Sequence, residues 1–489
     1  MIFLIMKGRV LFFLKWLLSI LLQSIISFIC SMSITINDFR HPFFIGIAGS
    51  GMSAIAQYLK ETGIEVSGSD RFFKPGEYNE IREKLEAEGI RCFEQDGTGI
   101  TGQTDLVVAS TAIEDTVAEI QKAKQLGIPI LKRSELLALI AASKKTIAVA
   151  GTSGKSTTSA MLYDILEYAG LQPGIISGAG LISLIKNGKI GNARAGAGEW
   201  LVIEADESDG SVVQYHPYTG LLLNIDKDHQ EIEELLRLFR IFKDNSTHFT
   251  VNQSHPLARR FSQNTEMDFS TNEQVKAGYI ATNFRQDGFI IRFSINDVPF
   301  EIKTAGRHNM ENAVAAVAVA NKIGVSLDKC SLALRKYEGI YRRFQVYGKK
   351  GGVWLIDDYA HNPVKCAAAI AASQLVADKV IAWFQPHGYK PTKFLRNEFV
   401  NEIAQVLRPE DEIWMSEIFY AGGTAEKDIS AADLINDLKA KGKKAYFIED
   451  RNNFLQNVRL HFSENCALLL MGARDPSLEQ FAKEVWNNL

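Results

Sequence analysis

Short unbroken apolar runs alternate with helix-period segments along most of the chain, the pattern of parallel strands buried on both faces and joined by helices. The first run, Phe43-Phe44-Ile45, leads into a glycine turn, Gly46-Ile47-Ala48-Gly49-Ser50-Gly51-Met52-Ser53, and a helix over residues 54–62. Further strands are predicted over residues 64–70, ending in Asp70, over 105–110, ending in Ser110, and over 128–131. The next strand, residues 145–150, meets a helix running from Lys155 to about residue 169, where Gly170 stops it. Residues 200–203 and 218–225 form strands, and residues 288–303 alternate as a hairpin about Asn296-Asp297. An Ala/Val-rich helix follows over 312–323, then strands over 353–356, 380–384, 412–415, 445–448 and 467–471. The pattern is α/β, and 489 residues at roughly 150 per domain give about three domains. They fall as a Rossmann-like unit over 39–142, a central unit with a parallel sheet over 143–325, and a second Rossmann-like α/β unit over 326–489.

Residues 1–38 differ in kind. Lys7, Arg9 and Lys15 stand among apolar residues up to Ile29, as in a membrane anchor or an uncleaved signal. The apolar part over 16–30 is short for the ~20 residues of a span, and Gln23, Ser24 and Ser27 dilute it. Translation from Met32, just before the first strand, is the favoured reading, and membrane association follows only if the extension is real.

Composition is that of a globular chain, with 46% hydrophobic and 23% charged residues, so wholesale disorder is excluded. A net charge of -3, from 54 basic and 57 acidic residues, supplies no basic field for a nucleic-acid backbone. The five cysteines lack C-x-x-C spacing, which points away from disulfide frameworks and zinc sites and fits a reducing cytoplasm.

The chemistry is concentrated where strands end. Gly151-Thr152-Ser153-Gly154-Lys155-Ser156-Thr157 joins a β-branched strand to a helix, shorter than the G-x-x-x-x-G-K-[ST] pattern when counted from Gly151. Backbone N–H groups of such a loop face an anion, Lys155 adds a mobile positive charge, and Ser156 suits Mg²⁺. The strand over 200–203 delivers Glu204-Ala205-Asp206-Glu207-Ser208-Asp209, and the strand over 218–225 delivers Asp226, Asp228 and His229. Both tips should face the glycine loop, because ligands of α/β sheets gather at carboxyl ends of strands. Phosphoryl transfer needs a cation on the phosphates, a metal and alignment. Lys155 is the candidate for the first, Ser156 and Glu204 for one Mg²⁺, and His229 for a second metal. Arg342-Arg343 in the last unit would bring an arginine onto the γ-phosphate and so couple domain closure to catalysis.

From about Phe43 to its C-terminus the chain resembles the Mur ligase family, the ATP-dependent amide-bond formers of peptidoglycan synthesis. The matching segments are residues 46–53, 66–70, the phosphate loop, 204–211, 224–229, 306–313, Arg342-Arg343-Phe344-Gln345, 357–363 and Gln385-Pro386-His387. The resemblance implies an N-terminal domain for a UDP-sugar, a central ATPase and a C-terminal domain admitting an amino acid or short peptide. It places UDP-sugar contacts at Gly49, Ser50, Gly51, Met52, Ser53, Asp70 and Ser110. It assigns Asn309 to adenine, Arg343 and Asp358 to the nucleotide, and His361 and His387 to the incoming substrate. The implied reaction phosphorylates the carboxylate of UDP-N-acetylmuramate or a related UDP-sugar, and an amine, L-alanine or another, then displaces phosphate. Ligation of a preformed tripeptide and an inactive nucleotide-binding scaffold are the alternatives. The chain departs from the family pattern at Ser153, where histidine is usual, and at Ser156, where threonine is. It departs further at Gly388 and Pro391, where both arginines of Gln-Pro-His-Arg-Tyr-Ser-Arg-Thr are lost, and at Arg474, where the pattern is closer to glycine.

Overall fold

A computed structural model describes residues 35–110, 113–227, 230–420 and 426–489. The expectations for the N-terminal extension before residue 35, and for Asp228 and His229, lie outside the described residues. Among those described, no helix is long and apolar enough to cross a membrane.

The first unit is a parallel sheet of β1 (Pro42–Ile45), β2 (Ser67–Asp70), β3 (Arg91–Glu94), β4 (Leu106–Ala109) and β5 (Ile130–Lys132), ordered β3-β2-β1-β4-β5. The second holds β6 (Lys145–Ala150), β7 (Gly174–Ile176), β8 (Ala193–Arg194), β9 (Trp200–Glu204), β10 (Thr219–Leu222) and β11 (His248–Val251). Their order is β11-β10-β6-β9-β7-β8, and β8 alone runs antiparallel to its neighbour. A smaller sheet of β12 (Phe269–Ser270), β13 (Tyr279–Asp287), β14 (Ile290–Ile295) and β15 (Val298–Ile302) follows. Its β14–β15 hairpin turns at Asn296 and Asp297, both left-handed (φ 46° and 68°), the two-residue turn that Asn and Asp tolerate best. The last sheet orders β16 (Gln345–Lys350), β17 (Val353–Asp358), β18 (Lys379–Gln385), β19 (Glu412–Met415), β20 (Ala445–Phe447) and β21 (Cys466–Gly472) as β16-β17-β21-β18-β19-β20. Only β16 pairs antiparallel there.

The cores do not follow the sheets one to one. Phe44, Ile47 and Met52 of the first unit pack in one continuous cluster with Ala148, Ile203 and Phe239 of the second. A polar clasp reinforces that seam. Asn192 Nδ2 donates to Ser50 O (2.7 Å) and Ser53 Oγ (3.0 Å), and Gln57 Nε2 donates to Asn192 Oδ1 (2.8 Å). The other face of the central sheet packs on the helices Lys155–Tyr168 and Arg307–Lys322, whose alanines and valines let the two approach closely.

The expected boundary between residues 325 and 326 is corrected by packing. Helix Leu327–Arg335 buries Cys330, Ala333 and Leu334 in the central core, together with Tyr337 and Ile340, so the last unit begins after residue 340. Sequence periodicity fixes that this segment is a helix, but not which core receives its apolar stripe.

Asp164, half-buried on helix Lys155–Tyr168, is raised to a pKa of about 7 by burial and by the neighbouring Glu338 and Glu167 carboxylates. The folded protein therefore holds a proton that the unfolded chain releases, a stabilisation complete below pH ~4 and lost as pH rises through about 7. Asp164→Asn should flatten this dependence. Urea unfolding should show the variant gaining on the order of 2 kcal/mol over the parent at pH 8 and little at pH 5.

Candidate active site

The glycine loop between β6 and helix Lys155–Tyr168 is shaped by two glycines no other residue could replace without strain. Gly151 (φ 135°) and Gly154 (φ 85°) lie in left-handed territory, and a Cβ on Gly154 would stand 2.4 Å from Asn312 Oδ1. The turn is held from the neighbouring strand end by Asn224. Its Oδ1 accepts from Ser153 N (2.8 Å) and Thr152 Oγ1 (3.0 Å), and its Nδ2 donates to Ser153 O (3.1 Å). Asp226 N donates to Thr152 Oγ1 at 3.0 Å. Asn224 is a residue that sequence reasoning placed in a motif without a role.

Lys155 Nζ donates to Gly151 O (2.8 Å) and Glu207 Oε2 (2.7 Å) and lies 3.5 Å from Asp206 Oδ1. Burial alone would lower its pKa, but Glu207 and Asp206 outweigh that and raise it, so the ammonium stays charged. Ser156 Oγ donates to Glu204 Oε2 (3.0 Å), while Glu204 Oε1 accepts from Ser177 Oγ (2.6 Å) and Gly178 N (2.7 Å). Ser177 and Glu207 are therefore supporting residues absent from the sequence-based set. The Ser156–Glu204 pair offers hard oxygens oriented by a second layer of hydrogen bonds, a donor set that fits Mg²⁺. Among the described residues no group of three or more His, Cys, Asp or Glu side chains is gathered to hold a metal ion.

The last unit reaches this loop through residues 340–344. Tyr341 N donates to Gly180 O (2.9 Å) and Ile182 N to Gly339 O (3.2 Å), while Leu181 and Ile340 form an antiparallel bridge. Beyond it, Arg342 and Phe344 both adopt left-handed φ (54° and 49°), turning Arg343 outward between them. The two arginines divide their work. The Arg342 side chain is only 11% exposed, its Nε 2.9 Å from Asp357 Oδ2 and its Nη2 donating to Gly472 O (3.1 Å). Arg343 lies with its guanidinium 4.8 Å from the Tyr359 ring centre and lines the phosphate-loop cleft.

That cleft, of about 270 Å³, is walled by Lys155, Ser156 and Glu204 on one side and by Arg343, His361, His387 and Arg474 on the other. Asp358 accepts from Phe344 N and Ala360 N, both at 2.7 Å, and so fixes the Arg343 turn; burial pushes its pKa up to about 6. It also borders a second cavity of about 250 Å³ that includes Thr157, Asn224, Asn309 and Arg343. Asn309 Nδ2 donates to Thr304 Oγ1 (2.9 Å) and Ala305 O (2.8 Å), so its amide is braced at the cavity wall. His361 is held neutral, mainly by burial, with its pKa well below the usual imidazole value. Its Nδ1 lies 2.9 Å from Tyr359 O, the geometry of an Nδ1–H donor, which leaves Nε2 the basic nitrogen.

The residues expected to meet a UDP-sugar lie elsewhere. Gly49, Ser50 and Gly51 form the N-terminus of helix Ser50–Glu61, but Met52 belongs to the core and Ser53 is buried against Asn192. Asp70 accepts from Ala48 N (2.9 Å) and Phe72 N (3.0 Å), clamping the glycine turn. Ser110 is half-buried just beyond β4. None of these lines the phosphate cleft, yet Arg133 links the two regions, lying against Gly51 and pairing with Asp209 at 3.2 Å.

Comparison with known proteins agrees with this arrangement. Residues 42–145 match the Mur ligase family catalytic domain, 149–320 the Mur ligase middle domain, and 342–474 the Mur ligase glutamate ligase domain. The chain is 35% identical over 445 residues to the UDP-N-acetylmuramate–L-alanine ligase of Carboxydothermus hydrogenoformans, covering 88% of this chain and 93% of that one. It is 34% identical over 462 residues to the ligase of the same name from Pelotomaculum thermopropionicum, covering 89% and 95%. The crystal structure of the UDP-N-acetylmuramate-alanine ligase of Thermotoga maritima superimposes with a TM-score of 0.74 at 25% identity, covering 92% of this chain and 100% of that one.

The division between the arginines is open to test. Arg342→Met leaves Asp357 buried and uncompensated, and should cost about 3–5 kcal/mol in denaturant unfolding. Arg343→Met should cost less than Arg342→Met, because Asp358 keeps its backbone N–H donors from Phe344 and Ala360 when the Arg343 charge is lost.

Proposed function

The chain belongs to the Mur ligase family, ATP-dependent amide-bond ligases of peptidoglycan synthesis, and we propose that it joins the carboxylate of UDP-N-acetylmuramate, or a related UDP-sugar, to the amine of an amino acid. One observation carries the reading: the phosphate loop and acidic strand ends of the central unit share a cleft with Arg343, His361 and His387 of the last. A scaffold that only bound nucleotide would need no such convergence of cations and a neutral histidine from two units.

In this reading the loop amides and Lys155 receive the β- and γ-phosphates of ATP, exchanging the Glu207 contact for a phosphate one. Ser156 and Glu204 would hold one Mg²⁺ and His229 would serve a second metal, which when bound would offset negative charge on the phosphate oxygens. Adenine occupies the cavity beside Asn309. The substrate carboxylate oxygen attacks the γ-phosphorus, ADP leaves, and an acyl phosphate remains. Arg343 meets the charge spread over the transferring phosphoryl group. The amine then attacks the acyl carbon and inorganic phosphate departs, so no protein nucleophile is required. An amine attacks only when unprotonated, and in this reading His361, a neutral imidazole lining the cleft, receives its proton. In this reading the reaction is cytoplasmic, where ATP is supplied.

Phosphate release should rise above background only when ATP, Mg²⁺, UDP-N-acetylmuramate and an amine are all present. Lys155→Ala should return it to background, and Arg343→Met should lower kcat at least 100-fold. Absence of amine-stimulated release across a panel of amino acids and peptides would overturn the ligase reading.

A further inference from the structure

Beyond His361 and His387, whose ring centres are 5.6 Å apart and which border both spaces, the phosphate cleft continues into a separate cavity of about 340 Å³. Its walls are chiefly apolar, with Phe384, Phe394, Leu395 and Phe399 facing it. The segment in which the family pattern carries two arginines forms its rim. Here Gly388 takes a left-handed φ of 72°, and a Cβ at that position would stand 3.3 Å from Pro391 Cδ. Thr392 Oγ1 donates to Gly388 O at 2.8 Å and pins the turn. The two departures thus form one packed unit, and position 388 sends no side chain into the cavity. Of the lysines nearby, Lys393 is paired with Asp428, and Lys390 offers a point charge rather than a bidentate fork. Across the histidine neck, at the third position departing from the family pattern, Arg474 lines the phosphate cleft.

Resting on the ligase reading above, we infer that the acceptor is an amino acid with an apolar side chain larger than methyl. Its side chain enters the phenylalanine-walled cavity and its carboxylate meets Arg474, which leaves the amine at the histidine neck. A methyl group would leave most of this cavity unfilled. Each further buried methylene adds binding that a carboxylate clamp no longer supplies, and a hydrophobic pocket of this kind discriminates by roughly 10- to 200-fold per group at most. The bond formed is the amide described above, with phosphate as the leaving group, and no further reactant is needed.

The test is a panel of free amino acids assayed with ATP, Mg²⁺ and UDP-N-acetylmuramate, scored by phosphate release and by the mass of the product. Leucine, isoleucine or phenylalanine should exceed alanine by at least 10-fold in kcat/KM. Alanine, glycine or a peptide as the best acceptor would overturn the inference while leaving the ligase reading intact, whereas no stimulation by any amine would remove both. Phe394 is 47% exposed, so Phe394→Ala should fold, and it should cut the preference for leucine over alanine at least 5-fold. Arg474→Gln should raise KM for the amino acid about 10-fold with KM for ATP unchanged; a raised KM for ATP alone would assign Arg474 to the phosphates and overturn its role here.

Discussion

A single crossing of the chain, residues 340–344, is stitched to the central unit by the Leu181–Ile340 bridge and to the last unit by the Arg342–Asp357 ion pair and the Asp358 clamp. The site depends on this crossing. A guanidinium meets phosphate usefully only if its backbone is fixed relative to the phosphate loop, and Arg343 is fixed from both sides by neighbours that are themselves buried. The strain of two left-handed non-glycine residues flanking it is tolerated because the Arg342–Asp357 pair and the hydrogen bonds to Gln345 and Asp358 over-determine the turn.

The same logic governs the loop it faces. Lys155 sits in a pocket where burial alone would lower its pKa, and Glu207 and Asp206 outweigh that and keep it ionised. The acidic strand end therefore serves two purposes. Glu204 orients Ser156, and Glu207 holds the lysine in place without burying it beyond exchange. In the proposed function an incoming polyanion would replace one carboxylate partner by another acceptor, with little reorganisation required of the protein.

What the sequence made legible was local. The β6 strand, the glycine loop and the following helix are written in adjacent residues, and so is the Asn296-Asp297 hairpin. What it did not reveal was which distant residue meets which. Asn224 reaches Ser153 across 71 positions, and Glu207 reaches Lys155 across 52, separations at which no spacing rule applies. Arg342 and Arg343 are chemically identical neighbours, and only the left-handed turn decides that one is buried while the other faces the cleft. Helix Leu327–Arg335 was legible as a helix, but its allegiance to the central core was not, since an apolar stripe does not name its partner.

The seam between the first two units has a mechanical meaning. Because Phe44, Ile47 and Met52 share a core with Ala148, Ile203 and Phe239, those units form one platform rather than two bodies on a tether. The last unit meets that platform at the crossing and also away from it, through Phe289 against Phe344 and Trp354, Ala305 in its core and the Lys227–Glu398 ion pair, so the bearing of its histidines on the glycine loop is set by several contacts at once.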